Sequence, residues 1–322
     1  VEKSKRLFLK QPMMRKVIYS LIPITLGAVY FFGWRTLVLM TVVTLCGILT
    51  EYLFEKRLNK PITEAVIVTS MLFTLTLPVS TPFWVAILGI VFGVMFAKEV
   101  FGGFGRNVFN PALVGRTFLY VCFPEYLTAR WNLVASGFPG GFASYMTPAM
   151  DSITKATPLA ALNQNADIFS IHQLFLGGVS GSSGETSALL ILIAAIYLVY
   201  TKTADWQLMA SPIIGFVALS SLLQLLNVPG VANPTYALFS GGFIFLSIFF
   251  VTEPITAPKT DEAKWIYGLL IGMITVAIRT FGIFVGGAAF AVLIMNTFVP
   301  IMDEGIKYMK SNKRQVAADE KV

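Results

Sequence analysis

The sequence predicts an all-α, polytopic membrane protein of about ten transmembrane helices, arranged as two inverted five-helix halves with some helices broken. Three observations predict it. Of 322 residues, 56% are hydrophobic and 13% charged, against the roughly one quarter charged that a soluble domain carries, and mean hydropathy is +0.73. The apolar residues fall into successive runs of about 16 to 22 residues, the length that crosses a ~30 Å hydrocarbon layer as a helix. A long polar stretch divides these runs into two groups of five, and an odd number per half makes corresponding helices antiparallel.

The runs lie near 17–34, 36–54, 62–80, 83–98, 108–124, 186–201, 208–226, 235–252, 264–281 and 283–302. The first ends in Phe31-Phe32-Gly33-Trp34, which offers no small-residue cleavage site and is followed by further runs, so it does not read as a secretory leader. The third is interrupted by Thr69, Ser70, Thr74 and Thr76 and limited by Pro78, the pattern of a short or broken helix buried in protein. Around Thr252–Pro258 a similar interruption follows the eighth run. Trp84 precedes Lys98 by fourteen residues and Trp265 precedes Arg279 by fourteen, each pair bracketing Gly-rich apolar sequence. That spacing is the trace of an internal repeat. The resulting organisation is an N-terminal segment with the first half (1–124), a loop (125–185), the second half (186–302) and a tail (303–322).

Basic residues orient the chain. Lys3, Lys5, Arg6, Lys10, Arg15 and Lys16 precede the first run; Lys56, Arg57 and Lys60, then Lys98 and Arg106, then Lys202, then Lys259 and Lys264 occupy alternate connections, and Lys307, Lys310, Lys313, Arg314 and Lys321 close the chain. The positive-inside rule therefore places both termini in the cytoplasm and the loop 125–185 outside. The net charge of +7 then meets anionic headgroups, and no nucleic acid is expected as a partner.

Cys46 and Cys122 lie in apolar runs without a CxxC or a nearby histidine, which argues against a zinc or iron–sulfur site held by this chain alone. His172, the only histidine, reads as a loop residue that either touches a ligand or caps a helix. Lys98-Glu99-Val100-Phe101-Gly102-Gly103-Phe104-Gly105-Arg106-Asn107 is not a dinucleotide fingerprint, because it follows a membrane run and lacks the spacing. Gly102, Gly103 and Gly105 instead permit close backbone approach to a neighbour or a flat ring. Arg116, inside the fifth run, needs a partner. Glu51, Glu64, Glu99, Glu185 and Glu253 stand at predicted helix ends, each open to three readings: an interfacial charge, a salt-bridge partner or an ion ligand. With the hydroxyls of the third run, Glu99 and Glu253 offer oxygen ligands to a hard cation such as Na⁺, or a relay for H⁺. Asp151-Ser152-Ile153-Thr154-Lys155-Ala156-Thr157-Pro158-Leu159 reads on its own as a turn into a short helix, with Thr154 or Thr157 as cap and Pro158 in the first position. On these residues alone, a solute channel or transporter and an electron carrier both remain open.

The same stretch resembles a flavinylation motif. Together with Val68 to Pro78, Lys98 to Arg116, Gly184-Glu185-Thr186-Ser187, and Asn233-Pro234-Thr235-Tyr236 onward through Thr252-Glu253-Pro254-Ile255-Thr256-Ala257-Pro258, it is similar to the NqrB/RnfD family. That family is shared by the Rnf ion-translocating ferredoxin:NAD⁺ oxidoreductase, through RnfD, and the Na⁺-translocating NADH:quinone reductase, through NqrB. The resemblance implies FMN joined to Thr157 through a phosphodiester, with Asp151, Thr154, Lys155 and Ala156 forming the motif around it. Lys155 stands where the family usually has Gly. The resemblance also implies a second, noncovalent flavin, riboflavin or FMN, within the bundle; Gly102, Gly103 and Gly105, as backbone packed close to a flavin or quinone-like ring, and Arg116 are the candidate residues for binding it. It further implies a multi-pass place in the cytoplasmic membrane of a prokaryote, a flavin transferase as modifying partner, and a heteromeric complex. In that complex an NADH-binding subunit, iron–sulfur subunits, a second FMN-bearing subunit and helical membrane subunits couple electron transfer to movement of Na⁺ or H⁺. Chain length and the short N-terminal segment favour RnfD, coupled to ferredoxin:NAD⁺ electron transfer. Val68 to Phe73 and Phe92 to Gly103 look more like NqrB, the alternative.

Overall fold

The computed structural model describes residues 8–149, 169–282 and 286–319, with side chains to 312. Among the described residues the protein is mostly helical, and five helices are long and apolar enough to cross a membrane. These are α1 (Pro12–Phe32), α2 (Arg35–Arg57), α9 (Trp206–Leu225), α12 (Asp261–Phe281) and α13 (Ala288–Asp319). Between them lie α3 (Ala65–Leu75), α4 (Phe83–Val94), α5 (Pro111–Cys122), α6 (Pro124–Thr128), α7 (Ile171–Leu176), α8 (Ala188–Tyr200), α10 (Pro234–Phe239) and α11 (Phe243–Phe249). Two short parallel strands, β1 (Phe8–Leu9) and β2 (Ile62–Thr63), tie the start of the described chain to the turn before α3.

Each of the ten apolar runs is helical over most of its described residues, but four are shorter than expected or divided, each for a local reason. α3 stops at Thr76, two residues before Pro78, and its freed carbonyls are taken by the 180s segment: the amides of Gly184 and Ser183 donate to Leu75 and Leu77 at 2.8 and 3.1 Å. α5 starts at a cap built by Asn110, whose side chain accepts from the amides of Ala112 and Leu113 at 3.0 and 3.1 Å, with Pro111 in the first position. Ser187 caps α8. α4 runs on into a π-helical turn, Met95–Glu99, which carries Lys98 and Glu99. The run near 235–252 is split in two at Ser240–Gly242, where Gly241 has φ +69°, into α10 and α11. Every residue of α11 is buried. Such short segments persist at membrane depth only where protein satisfies their ends.

α4 packs between α2 and α5, α12 between α9 and α13, and α1 against α8. Small residues set the closest approaches. A Cβ on Gly115 would lie 2.5 Å from the carbonyl oxygen of Gly89 in α4, and one on Gly272 of α12 would lie 2.5 Å from the amide of Phe216 in α9. α13 is seventeen residues longer than the expected run at its far end, and Asp303 on it accepts from the amides of Lys259 and Thr260 at 3.0 Å each, anchoring the start of α12. Direct contacts gather the basic residues at one end of the bundle: Lys16 donates to the Thr201 carbonyl at 3.1 Å, Lys264 pairs with Asp205 at 2.9 Å, and Lys310 pairs with Glu262 at 2.7 Å. The opposite end carries the segments 123–149 and 169–187. There Ala135 bonds back to Phe31, and Arg35 donates to the carbonyls of Val79 and Thr81.

Candidate functional site

Two cavities, mostly apolar but each holding charged side chains, lie toward the two ends of the bundle, and α5 and α11 wall both. The cavity toward the basic end holds about 60 Å³ and is lined by Val68, Thr69, Leu72, Lys98, Asn110 and Glu253, among others. It shares Met13, Thr203, Thr252 and Pro254 with an outer hollow of about 280 Å³ edged by Lys202, Lys259 and Lys264. Glu253, just past α11, accepts hydrogen bonds from Asn110 Nδ2 and Thr256 Oγ1, both at 2.8 Å. The other end of the Asn110 amide caps α5, so a helix start and a carboxylate position one another.

Behind Lys98 lies a buried ionic cluster. Its Nζ stands 2.6 Å from Glu51 Oε2, 3.0 Å from Thr63 Oγ1 and 3.8 Å from Glu99 Oε1. Glu51 Oε1 in turn accepts from the Thr63 amide at 2.8 Å and its hydroxyl at 2.7 Å. Glu55, one turn along α2, is buried beneath Gly103, whose hypothetical Cβ would collide with it. Both Glu99 oxygens are buried without a hydrogen-bond partner among the described residues. Three carboxylates and one ammonium share this place, and such a group is stable only through mutual pairing or uptake of a cation or proton.

The cavity toward the other end holds about 130 Å³ and includes Arg116, Tyr120, Glu185, Gly242, Phe243 and Arg279 in its wall. Arg116 meets Glu185 at 2.6 Å. Arg279 donates to the Ala237 carbonyl at 2.8 Å and lies over the rings of Phe216 and Phe243, 5.4 and 5.8 Å from their centroids. Its Nε is buried with no hydrogen-bond partner among the described residues. Thr128, Trp131, Ser180 and Ser182 border the cavity from both sides of the loop 125–185. An orphaned guanidinium nitrogen, further polar groups and the side chains of Trp131, Phe239 and Phe243 give this cavity both hydrogen-bonding and apolar surface.

The sequence-predicted residues divide as follows. Thr157, Asp151, Thr154, Lys155 and Ala156 lie outside the described residues. Gly102, Gly103 and Gly105 have φ of +104°, +90° and +87° and shape the turn after the π-helical segment. None of the three lines either cavity; Phe104 between them lines the basic-end one. Arg116 has the partner it requires. Glu99 and Glu253 both come near Lys98 but belong to different bonding groups. Thr74 and Thr76 spend their hydroxyl protons on carbonyls of their own helix, at 2.8 and 2.7 Å, leaving only lone pairs for a cation. His172 is exposed on α7, whose cap is Ser170. Among the described residues no group of three or more His, Cys, Asp or Glu is arranged to hold a metal ion. Sequence reasoning missed Glu55 and the place of Arg279 in a cavity. For Glu55 a signal existed: Glu51 and Glu55 stand four apart on one helix face.

The described residues thus form a polytopic, mostly helical protein of the membrane-spanning class, with cavities of mixed polar and apolar lining set beside broken helices. This chain belongs to the NQR2, RnfD, RnfE family, whose profile matches residues 8–311. It is 38% identical over 273 residues to NqrB, a subunit of the Na(+)-translocating NADH-quinone reductase, of Pseudomonas aeruginosa strain LESB58, covering 82% of this chain and 65% of that protein. Against the subunit of the same name from Azotobacter vinelandii it is 38% identical over 297 residues, covering 89% and 70%. With that of Klebsiella pneumoniae strain 342 it shares 37% over 291 residues, covering 87% and 67%. The chain thus spans about two thirds of the length of these relatives.

Proposed function

We propose that this chain is a membrane-embedded flavoprotein subunit of a redox-driven, ion-translocating complex of the Na⁺-translocating NADH:quinone reductase type, in the place of NqrB. The observation that carries the reading is identity of 37–38% sustained over more than four fifths of the chain. The expectation of RnfD rests on chain length and the short N-terminal segment; the relatives bearing the quinone-reductase name weigh more.

The ten-span, two-half architecture is part of this proposal. Two features support it: α4 sits between α2 and α5 as α12 sits between α9 and α13, and the short buried helices α3 and α11 both run into Thr-x-Pro turns, Thr76-Leu77-Pro78 and Thr252-Glu253-Pro254. On the same reading the divisions fall at 124, 185 and 302, the basic end faces the cytoplasm of a prokaryotic cell with both termini, and Thr157 lies on the outer face.

Flavin, when bound, supplies one- and two-electron redox chemistry that side chains lack. In this reading FMN is joined to Thr157 by a flavin transferase, and a second flavin, riboflavin or FMN, is held noncovalently within the bundle. The chain's own residues orient and insulate these groups. Arg116, Glu185 and Arg279 offer fixed charge at the outer cavity, and Asn110 holds Glu253 at the wall of the inner one. Glu99 and Glu253 are the proposed carboxylates of a Na⁺ or H⁺ path, and Gly102, Gly103 and Gly105 let backbone approach a ring. Electrons arrive through an NADH-binding subunit, iron–sulfur subunits and a second FMN-bearing subunit, and helical membrane subunits complete the complex.

The reading is tested by denaturing gel electrophoresis of the protein from its native host. Flavin fluorescence should survive denaturation in the wild type and vanish in Thr157→Ala. A nonfluorescent wild-type band would favour a solute transporter instead.

A further inference from the structure

We infer that the outer hollow at the basic end is a binding site for the phosphate headgroup of an anionic phospholipid. Such a site requires only that the chain spans a membrane, and it is independent of the redox reading. The hollow, about 280 Å³, opens where the start of α1, the turn between α8 and α9 and the approach to α12 meet. The charged side chains in its wall are Lys202, Lys259, Lys264 and Asp205, three ammoniums against one carboxylate. Lys264 Nζ stands 2.9 Å from Asp205 and 3.0 Å from Asp261, so the one carboxylate of the wall is already engaged. Among the described residues the ammoniums of Lys202 and Lys259 have no carboxylate or carbonyl partner. The neighbouring hydroxyls are committed too: Thr252 donates to the Ile248 carbonyl at 2.6 Å, and Thr203 Oγ1 lies 2.8 Å from Thr201 Oγ1. Recognition of an anion here falls to the lysines.

Three features set these lysines apart from a scattered basic surface. The first is that their origins are fixed around one concavity. Lys202 ends α8 with φ +53°, a left-handed position that Gly or Asn fills without strain, the Lys259 amide is tied to Asp303 at 3.0 Å, and the Lys264 side chain is largely buried. The second is depth. Trp206 and Trp265 meet edge to face with centroids 5.8 Å apart, and each directly follows one member of the Asp205–Lys264 pair. Tryptophan gathers where hydrocarbon gives way to headgroups, so the hollow lies at that level. The third is the mixed wall, in which Met13, Leu208 and Pro254 stand beside the lysines. An ammonium meeting a phosphate makes a charge-assisted hydrogen bond, and basic pockets between helices at the cytoplasmic face take anionic headgroups. A free anion would leave the apolar part of the wall uncovered, whereas a lipid covers it with its glycerol end. Because the hollow shares Met13, Thr203, Thr252 and Pro254 with the inner cavity, a seated headgroup stands at the mouth of that cavity.

The test is native mass spectrometry of the protein purified from its own membrane in mild nonionic detergent, titrated with phosphatidylglycerol and, separately, with phosphatidylcholine. The wild type should bind phosphatidylglycerol in preference to phosphatidylcholine. The double variant Lys202→Gln with Lys259→Gln should bind it roughly thirtyfold more weakly, at about fivefold for each lysine facing an anionic headgroup, and Lys202→Arg with Lys259→Arg should restore binding. Lys307→Gln with Lys310→Gln removes two positive charges at the same end but outside the hollow, and should leave binding unchanged. Equal weakening in that control pair would show diffuse attraction and overturn the site. Equal binding of the two lipids by the wild type would overturn it without any variant. Inorganic phosphate that displaces phosphatidylglycerol at matched concentration would make this a free-phosphate site and overturn the lipid as its ligand.

Discussion

At the scale of single residues, the buried charges govern the energetics. Lys98 is 3% exposed and Glu51 fully buried, so each is stable there only through the other and through Thr63. Removing one partner of a buried pair typically costs about 3–5 kcal/mol, because the remaining charge stays desolvated. Lys98→Met should lower the thermal midpoint of the detergent-solubilised complex markedly, whereas Lys98→Met combined with Glu51→Gln should recover much of the loss; equal midpoints for the single and double variants would show that the pair carries no such energy. These charges were partly legible in the sequence. Glu99, Glu253 and Arg116 stand out in apolar surroundings because membrane burial makes every charge expensive. Their partners did not stand out: Glu253 meets Asn110 and Lys98 meets Glu51 across chain separations that only tertiary packing closes.

At the scale of elements, the helices were legible where length and hydropathy decide, and less so where local chemistry does. Apolar length alone locates α1, α2, α9 and α12. The split at Ser240–Gly242 was hidden, since the flanking phenylalanines keep the run apolar while two adjacent glycines remove the side chains that would stiffen it. The π-helical turn at Met95–Glu99 has no composition of its own. The extension of α13 was missed because a charged helix in water needs no hydropathy. Packing between elements predicts a contrast of sign. Gly272→Leu would drive α12 off the α9 backbone at a cost of about 1–3 kcal/mol. Gly305, on α13, has nothing within 4 Å of a would-be Cβ, so Gly305→Ala should stabilise by roughly 0.5–1 kcal/mol through helix propensity. Thermal midpoints of the two variants, measured side by side, should move in opposite directions.

At the scale of the whole molecule, the proposed coupling predicts a measurable flux. A negative charge added to a low-dielectric interior changes nearby electrostatic energies steeply, and a cation is the natural compensation. The complex in sealed vesicles, given NADH and a quinone, should take up radioactive Na⁺ in the presence of a protonophore. Uptake abolished by the protonophore would make H⁺ the primary ion, and electron transfer without either gradient would remove the coupling. One backbone feature bears on any such traffic. α11 contributes Phe243 and Leu246 to one cavity and Phe249 to the other, with Glu253 just beyond. Six residues of helix advance roughly 9 Å, so a single buried peg acts as a ruler between the two chambers. It also fixes their angular indexing, because one residue inserted near Ser247 would turn everything after it by about 100° and swing Glu253 out of register with Asn110. The spacing of the two chambers is thus a count of residues, and the molecule can adjust the walls of either chamber without changing the distance between them.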